Sequence, residues 1–293
     1  MAKIVLSDLR HHEGVFGTVP PPARRGPRLA PARRRLVIVL VVLLALAVLA
    51  GVLLVGRRGS DPHRPVGAAQ DRPGPVLLLP GYGGATSSLT MLAGRLRAAG
   101  RDVTVVPLPD RAEGDLNQQA RALDTAAQAA LYRTGASSVD VVGYSAGGVV
   151  ARLWTKSYGG AGTARRVVTL GSPQHGTELA ALGSLVSGAC PLACQQLAPA
   201  SSLMAALNAP PELPAGPAFV SIWSTGDQVV LPPDSARLAG AVDVVIQRVC
   251  PGAVVSHAQL PTDRLVAAMV VAELTARPAR QLTAADCASL RTG

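Results

Sequence analysis

The ten residues Val141-Val142-Gly143-Tyr144-Ser145-Ala146-Gly147-Gly148-Val149-Val150 read as a buried strand, a Gly-x-Ser-x-Gly turn and the start of a helix. A serine hydroxyl is a poor nucleophile at neutral pH and must be held clear of the backbone beside a base. A very tight strand-to-helix turn does this, provided that small residues on either side let neighbouring backbone pass close by. Gly143 and Gly147 occupy those positions. The spacing alone says little in a chain with 30 glycines among 293 residues. The apolar run Ser138–Val142 before it and the helical pattern Val149–Trp154 after it supply the context that the chemistry demands.

The second constraint is Leu36 to Val55, an uncharged run of Leu, Val, Ile, Ala and Gly. As a helix it would span roughly 30 Å, the thickness of the hydrocarbon layer. Arg33-Arg34-Arg35 precede it and Arg57-Arg58 follow it. Basic residues are concentrated before the run, which predicts a cytoplasmic N-terminus and an outer catalytic portion. A cleaved signal peptide is the competing reading, but its apolar core would be about 7–15 residues, shorter than this run. Arg24-Arg25 and Arg33-Arg34 sit in surroundings that match a twin-arginine export signal poorly.

The net charge of +10 follows from the same arrangement, since residues 1–58 carry +8 of it. The basic excess is therefore a topology signal and an attraction to anionic lipid. No zinc-finger spacing, RNP-like aromatic set or long basic stripe follows, so nucleic acid is not an expected partner. All four cysteines fall on the outer side, where an even number suggests disulfides. Cys190 and Cys194 are close enough to staple a small loop, and Cys250 with Cys287 would pin the C-terminus, although four cysteines allow three connectivities. No Cys/His cluster has ligand spacing, so neither a metal nor another cofactor is expected.

These features divide the chain into a tail at 1–35, a membrane anchor at 36–56, a Pro/Gly/Arg linker at 57–74, a catalytic domain at 75–276 and a C-terminal tail at 277–293. Within the domain, strands are predicted at Val76–Leu79, Asp102–Pro107, Ser138–Val142, Arg165–Leu170, Ala218–Ser224 and Val242–Arg248. Helices follow at Leu89–Ala99, Leu116–Tyr132, after Ser145 and at Asp263–Leu274. Apolar strands alternating with helices predict an α/β fold, a mostly parallel sheet of about six strands covered on both faces. Functional groups in such sheets gather at the carboxyl ends of the strands, and Gly81, Ser145, Ser172, Asp227 and His257 all fall there.

Ser145 needs a base. Of the five histidines, His11 and His12 lie before the anchor and His63 in the linker, leaving His175 and His257. His257, between the last strand and the last helix, gives the order Ser, Asp, His of one triad arrangement. His175 reads as a structural or pocket-wall residue. The orienting acid must hold the imidazole in one tautomer. Asp227, at a strand end opened by Gly226, fits better than Asp234 in a Pro-rich turn or Asp243 within the last strand. Oxyanion donors are expected at the Ala146 N–H and in the loop Pro80-Gly81-Tyr82-Gly83-Gly84. Tyr82 is the preferred donor there, with Gly81 and Gly83 as alternatives. No Gly-Lys-Ser/Thr follows that loop, which argues against a phosphate cradle.

Taken together, Leu79–Gly84, the turn at Ser145, the block Thr169–Thr177, the strand leading to Asp227 and the loop of His257 resemble the α/β-hydrolase superfamily. Within it they are similar to small bacterial extracytoplasmic lipases of the class 2 triacylglycerol-lipase type. The resemblance covers about Pro75–Ala276 and implies carboxylic-ester hydrolysis through an acyl-enzyme, with lipid-like esters as substrates and the membrane as neighbour. Pro80 stands where many relatives carry histidine. The apolar insertion at 178–217 reads as a lid-like element, with Leu203, Met204 and Leu207 as candidate pocket residues beside Gly81, Gly83, Tyr144 and His175. Acyl transfer or thioester hydrolysis on the same triad, and a non-catalytic binding module, are the alternatives.

Overall fold

The computed structural model describes residues 72–185 and 188–292, together with 40, 42–44 and 46. The chain divides into two units, Met1–Arg64 and Pro65–Gly293. In the first, the described residues are helical and exposed. The expected tail, anchor and linker lie almost wholly outside the described residues, among which no helix is long and apolar enough to cross a membrane.

The second unit is built on β1 (Val76–Leu79), β2 (Val103–Val105), β3 (Val139–Tyr144), β4 (Ala164–Leu170), β5 (Ala218–Trp223) and β6 (Val242–Val245). They form one sheet in the order β2-β1-β3-β4-β5-β6, and every neighbouring pair is parallel. Successive side chains of a strand face opposite sides of a sheet, so continuous apolar strands feed two cores. Leu77, Leu79, Val141 and Val167 pack on α2 (Leu116–Thr134) and α3 (Ala146–Ser157). Val76, Leu78, Val142 and Val168 pack on α1 (Thr90–Ala98) and, further along the chain, Arg264–Thr275. The strand order reverses between β1 and β3, the switch point at whose carboxyl ends ligand crevices form in such sheets. The loop after β1 and Ser145 after β3 flank it.

The insertion at 178–217 folds as α4 (Glu178–Ser184), α5 (Leu192–Gln196) and α6 (Ser202–Asn208). Its second half is fixed to the body. The buried Arg152 guanidinium donates to Gln174 O at 2.9 Å, Asn208 Oδ1 at 2.8 Å and Leu207 O at 2.8 Å. Lys156 Nζ donates to Leu207 O at 2.7 Å and Ala209 O at 2.6 Å. Burial lowers the pKa of Arg152 to about 10.

Two boundaries differ most from expectation, while β2 and β3 depart by one or two residues at each end. The strand predicted at Val242–Arg248 stops at Val245, and α7 (Ile246–Val249) makes a single turn that buries Ile246 and Val249. This aims Gln247 at the loop after β5, where it accepts from Thr225 N at 3.0 Å and donates to Ser224 Oγ at 2.9 Å. Residues 277–292 fold onto the domain beyond α8 (Arg264–Thr275). Leu282 and Leu290 are buried, and α9 (Cys287–Thr292) is tied back by the Cys250–Cys287 disulfide.

A cluster of buried charge lies at the opposite end of the sheet. Asp140, fully buried at the start of β3, takes a bidentate pair from Arg165 at 2.7 and 2.6 Å and a further bond from Arg101. Arg165 also donates to Leu274 O at 2.7 Å, and Arg166 to Glu273 O and Ala276 O, which satisfies the last carbonyls of α8. Burial is the largest influence on the Glu273 carboxyl and holds it above the ordinary range, against the pull of Arg166 and Arg280.

A carboxyl whose pKa rises on folding leaves stability intact below its unfolded pKa and lowers it as pH climbs through the folded value. Glu273→Gln removes that ionisation. The Tm of the variant relative to wild type should therefore increase as pH is raised from about 4 to about 8. A difference that stays flat or declines over that range contradicts the assignment.

Candidate active site

Ser145 stands between β3 and α3 with φ 52° and ψ −125°, a region that L-residues avoid at a cost of about 1–3 kcal/mol. Such a conformation persists only where the surroundings over-determine it. Its N–H donates to Leu170 O on β4 at 2.8 Å. A Cβ on Gly143 would lie 2.5 Å from the backbone of Gly148, and one on Gly147 would lie 2.5 Å from Pro80 O. The two glycines thus let α3 fold back on β3 and slide beneath the end of β1. The serine is left at the apex of the turn, nearly buried.

His257 opens a short 3-10 turn, His257–Gln259, in a capping box between Ser256 and Gln259. Its Nε2 lies 2.9 Å from Ser145 Oγ, and its Nδ1 lies 2.7 Å from Asp227 Oδ2. The other carboxylate oxygen, Asp227 Oδ1, accepts from the N–H groups of Val229 at 2.8 Å and Val230 at 2.9 Å. The Asp227 carboxylate is thereby fixed in orientation and one oxygen is left for the imidazole. Residues from the segments that follow β3, β5 and β6 meet in one buried row. Such a row can take a proton from the serine as it attacks and stabilise the imidazolium that results.

The rival acids are engaged elsewhere. Asp243 accepts from Trp223 Nε1 at 2.6 Å and pairs with Arg237 at 3.3 Å, while Asp234 sits in the first turn of the short helix Pro233–Ala236.

The loop after β1 lies directly on the serine. A Cβ on Gly81 would come within 2.9 Å of Ser145 Cβ. Gly84 N donates to Gly81 O at 3.0 Å, and Gly83 at φ 84° closes the turn. Ala146 is the first residue of α3, so its N–H has no intrahelical acceptor. A cavity of about 250 Å³ opens on Ser145, lined among others by Tyr82, Ala180, Cys194, Leu197, Val229 and Val230. Leu179, on its lining, is exposed to solvent.

Several expected pocket residues lie elsewhere. Met204 and Leu207 are buried in the core beside α3, and Leu203 and Leu207 border a separate cleft with Asn117 and Leu153. The Arg152 and Lys156 bonds described above hold their helix there. His175 is also outside the cavity wall, with Nδ1 3.2 Å from Ser235 O and Nε2 3.4 Å from Glu212. Tyr144 does not line the cavity either. Its hydroxyl donates to His257 O at 3.2 Å and its ring lies 5.2 Å from the imidazole. Burial, with a smaller effect of Asp227, raises its pKa to about 12, so the hydroxyl keeps its proton and supports the histidine loop. The disulfides are Cys190–Cys194 and Cys250–Cys287. No metal-binding cluster exists among the described residues.

One site residue was not singled out from sequence. Gly171, with φ 52°, follows β4, and a Cβ there would lie 2.3 Å from Leu260 Cδ1 and 3.0 Å from Asp227 Oδ2. The only signal was its place in the block after a strand end.

Residues 111–187 match the family model described as the PGAP1-like alpha/beta domain. No curated protein sequence matches the chain. Among solved structures, Aspergillus fumigatus lipase B is similar at 20% identity and a TM-score of 0.59, covering 73% of this chain and 55% of the lipase. The chain thus spans little more than half of that protein. Mature Bacillus licheniformis lipase BlEst2 is similar at 18% identity and a TM-score of 0.58, covering 71% and 94%. A Listeria innocua gene product gives 15% identity and a TM-score of 0.50, covering 72% and 97%. The chain has the α/β-hydrolase fold, and its structural neighbours include lipases and esterases of that superfamily.

Gly171→Ala tests how tightly the Asp227–His257 pair is packed. The added methyl meets both a positive φ and the leucine behind the pair. It should cost about 2 kcal/mol, a fall in Tm of roughly 4–8 °C. An unchanged Tm contradicts this packing.

Proposed function

We propose that the chain is a serine hydrolase of carboxylic esters with apolar, lipid-like acyl groups. The observation that carries the proposal is the buried row Ser145–His257–Asp227, with its 2.9 and 2.7 Å contacts, at the mouth of an apolar cavity. Ser145 Oγ bonds to the ester carbonyl carbon while its proton passes to His257 Nε2. The N–H groups of Ala146 and Tyr82 face the oxygen that gains charge, each worth on the order of 10²–10³ in rate. His257 then returns the proton to the departing alcohol, and water repeats the sequence to release the acid. Asp227 orients the imidazole and stabilises its charged form.

Lipid-like acyl chains are favoured by the apolar wall, on which Leu179 is exposed to solvent. Two of the similar structures are lipases by name. We place the domain outside the cytoplasm, tethered by the run Leu36–Val55. Two disulfides and a basic excess before that run support this placement.

Ser145→Ala should abolish hydrolysis of short- and medium-chain p-nitrophenyl esters, a loss of at least ~10³-fold in kcat, without lowering Tm. Because alanine inherits the same strained backbone, an unaltered circular-dichroism melt is the control for folding. Undiminished turnover by the folded variant rules out Ser145 as the nucleophile.

A further inference from the structure

We propose that the Cys190–Cys194 disulfide sets the depth of the acyl pocket, and with it the length of acyl chain that Ser145 accepts, a role that rests on the ester-hydrolase reading above. Cys194 belongs to the cavity wall, and so do Ala180 on α4, Ala189 just before Cys190 and Leu197 just after α5. The two sulfurs lie where α4 meets α5. A Cβ on Gly183 of α4 would rest 3.4 Å from Cys194 Sγ and 3.8 Å from Cys190 Sγ. Ser184 Oγ lies 3.3 Å from Cys190 Sγ and bonds to Ala180 O at 2.8 Å.

The other ties of this region are unevenly placed. Helix α5 is fastened to the body through Gln196, which accepts from Leu116 N at 2.8 Å and donates to Asp115 Oδ1 at 2.8 Å. Ala193 N adds a bond to Glu113 O at 3.0 Å. The start of α4 is fastened by Glu178 N to Leu231 O at 2.9 Å. Its far end is different. Leu182 and Leu185 stand 61% and 81% exposed, so little packing on the outer face holds that end down. The disulfide, with a bond from Gln195 Nε2 to Cys190 O at 2.8 Å, keeps Cys190, and Ala189 beside it, against the anchored α5. Its loss leaves the end of α4 and Ala189 freer to move outward and enlarges the cavity at the wall they form.

Global stability gives a weaker reason for this bond to exist. Loop-closure entropy grows with the length of chain enclosed. A separation of 4 residues constrains the unfolded chain far less than the 37 between Cys250 and Cys287. The consequence of the short bridge is therefore concentrated at the wall it forms.

The test compares kcat/KM for p-nitrophenyl butyrate and laurate in the detergent-solubilised full chain. Wild type is set against the double variant Cys190→Ser/Cys194→Ser and against Ala180→Leu, which fills the pocket with the disulfide intact. The laurate-to-butyrate ratio should rise at least tenfold in the double variant and fall at least tenfold in Ala180→Leu. Ratios equal to wild type in a folded double variant overturn the proposal. A wild-type ratio in Ala180→Leu does so as well, even where the double variant fails to fold. Wild-type protein inert towards every ester would instead remove the hydrolase reading itself.

Discussion

Between β3 and α3 the chain turns from strand to helix at a single residue, and Ser145 takes up the backbone strain of that turn. The conformation is held from three sides: Leu170 O on β4 takes its N–H, and Gly143 and Gly147 allow α3 and the end of β1 to close around it. Move any one of these and the hydroxyl no longer points where His257 can reach it. The strain is affordable because a continuous parallel sheet, buried on both faces, fixes the neighbouring strands. Side chains from the segments that follow three strands can then be brought within hydrogen-bond distance.

The two ends of the sheet do different work. At the amino ends of β3 and β4, Asp140 is matched by Arg101 and Arg165, and Arg166 closes the last turn of α8. Buried pairs of this kind recover little beyond their desolvation cost, but an unpaired member would be expensive, so they fix the register of the strands against α8. At the carboxyl ends the buried carboxylate is Asp227, which is held by Val229, Val230 and His257. Next to that pair lies an apolar cavity. An ester carbonyl would meet a preorganised polar row on one side and hydrocarbon on the other.

Most of this could be read from the chain because it depends on local pattern. Apolar runs bounded by Gly and Pro marked five of the six strands closely, and the turn at Ser145 needs only its own glycines to be recognised. Asp227 and His257 were legible by elimination, since few histidines and acids follow a strand end. What escaped depends on contacts between distant segments. Leu203, Met204 and Leu207 have the composition of a pocket wall, but Arg152 and Lys156, some fifty residues earlier, turn them into the core. Gly171 matters because Leu260 and Asp227 converge on it, and no single-segment pattern encodes that. Tyr144, adjacent to Ser145 in sequence, faces the carbonyl of His257 instead of the cavity. Residues 277–292 looked like a tail because their core contacts, Leu282 and Leu290, are too sparse to show a period.

The central claim is that Ser145 is a nucleophile because His257 and Asp227 make it one. Labelling by a fluorophosphonate probe, followed by mass spectrometry of the adduct, tests this most directly. The account predicts rapid modification of Ser145 alone in the wild-type chain, and labelling slowed by at least ~10²-fold in folded His257→Ala and Asp227→Asn variants. Modification of another residue, or of Ser145 at an undiminished rate in those variants, would contradict it.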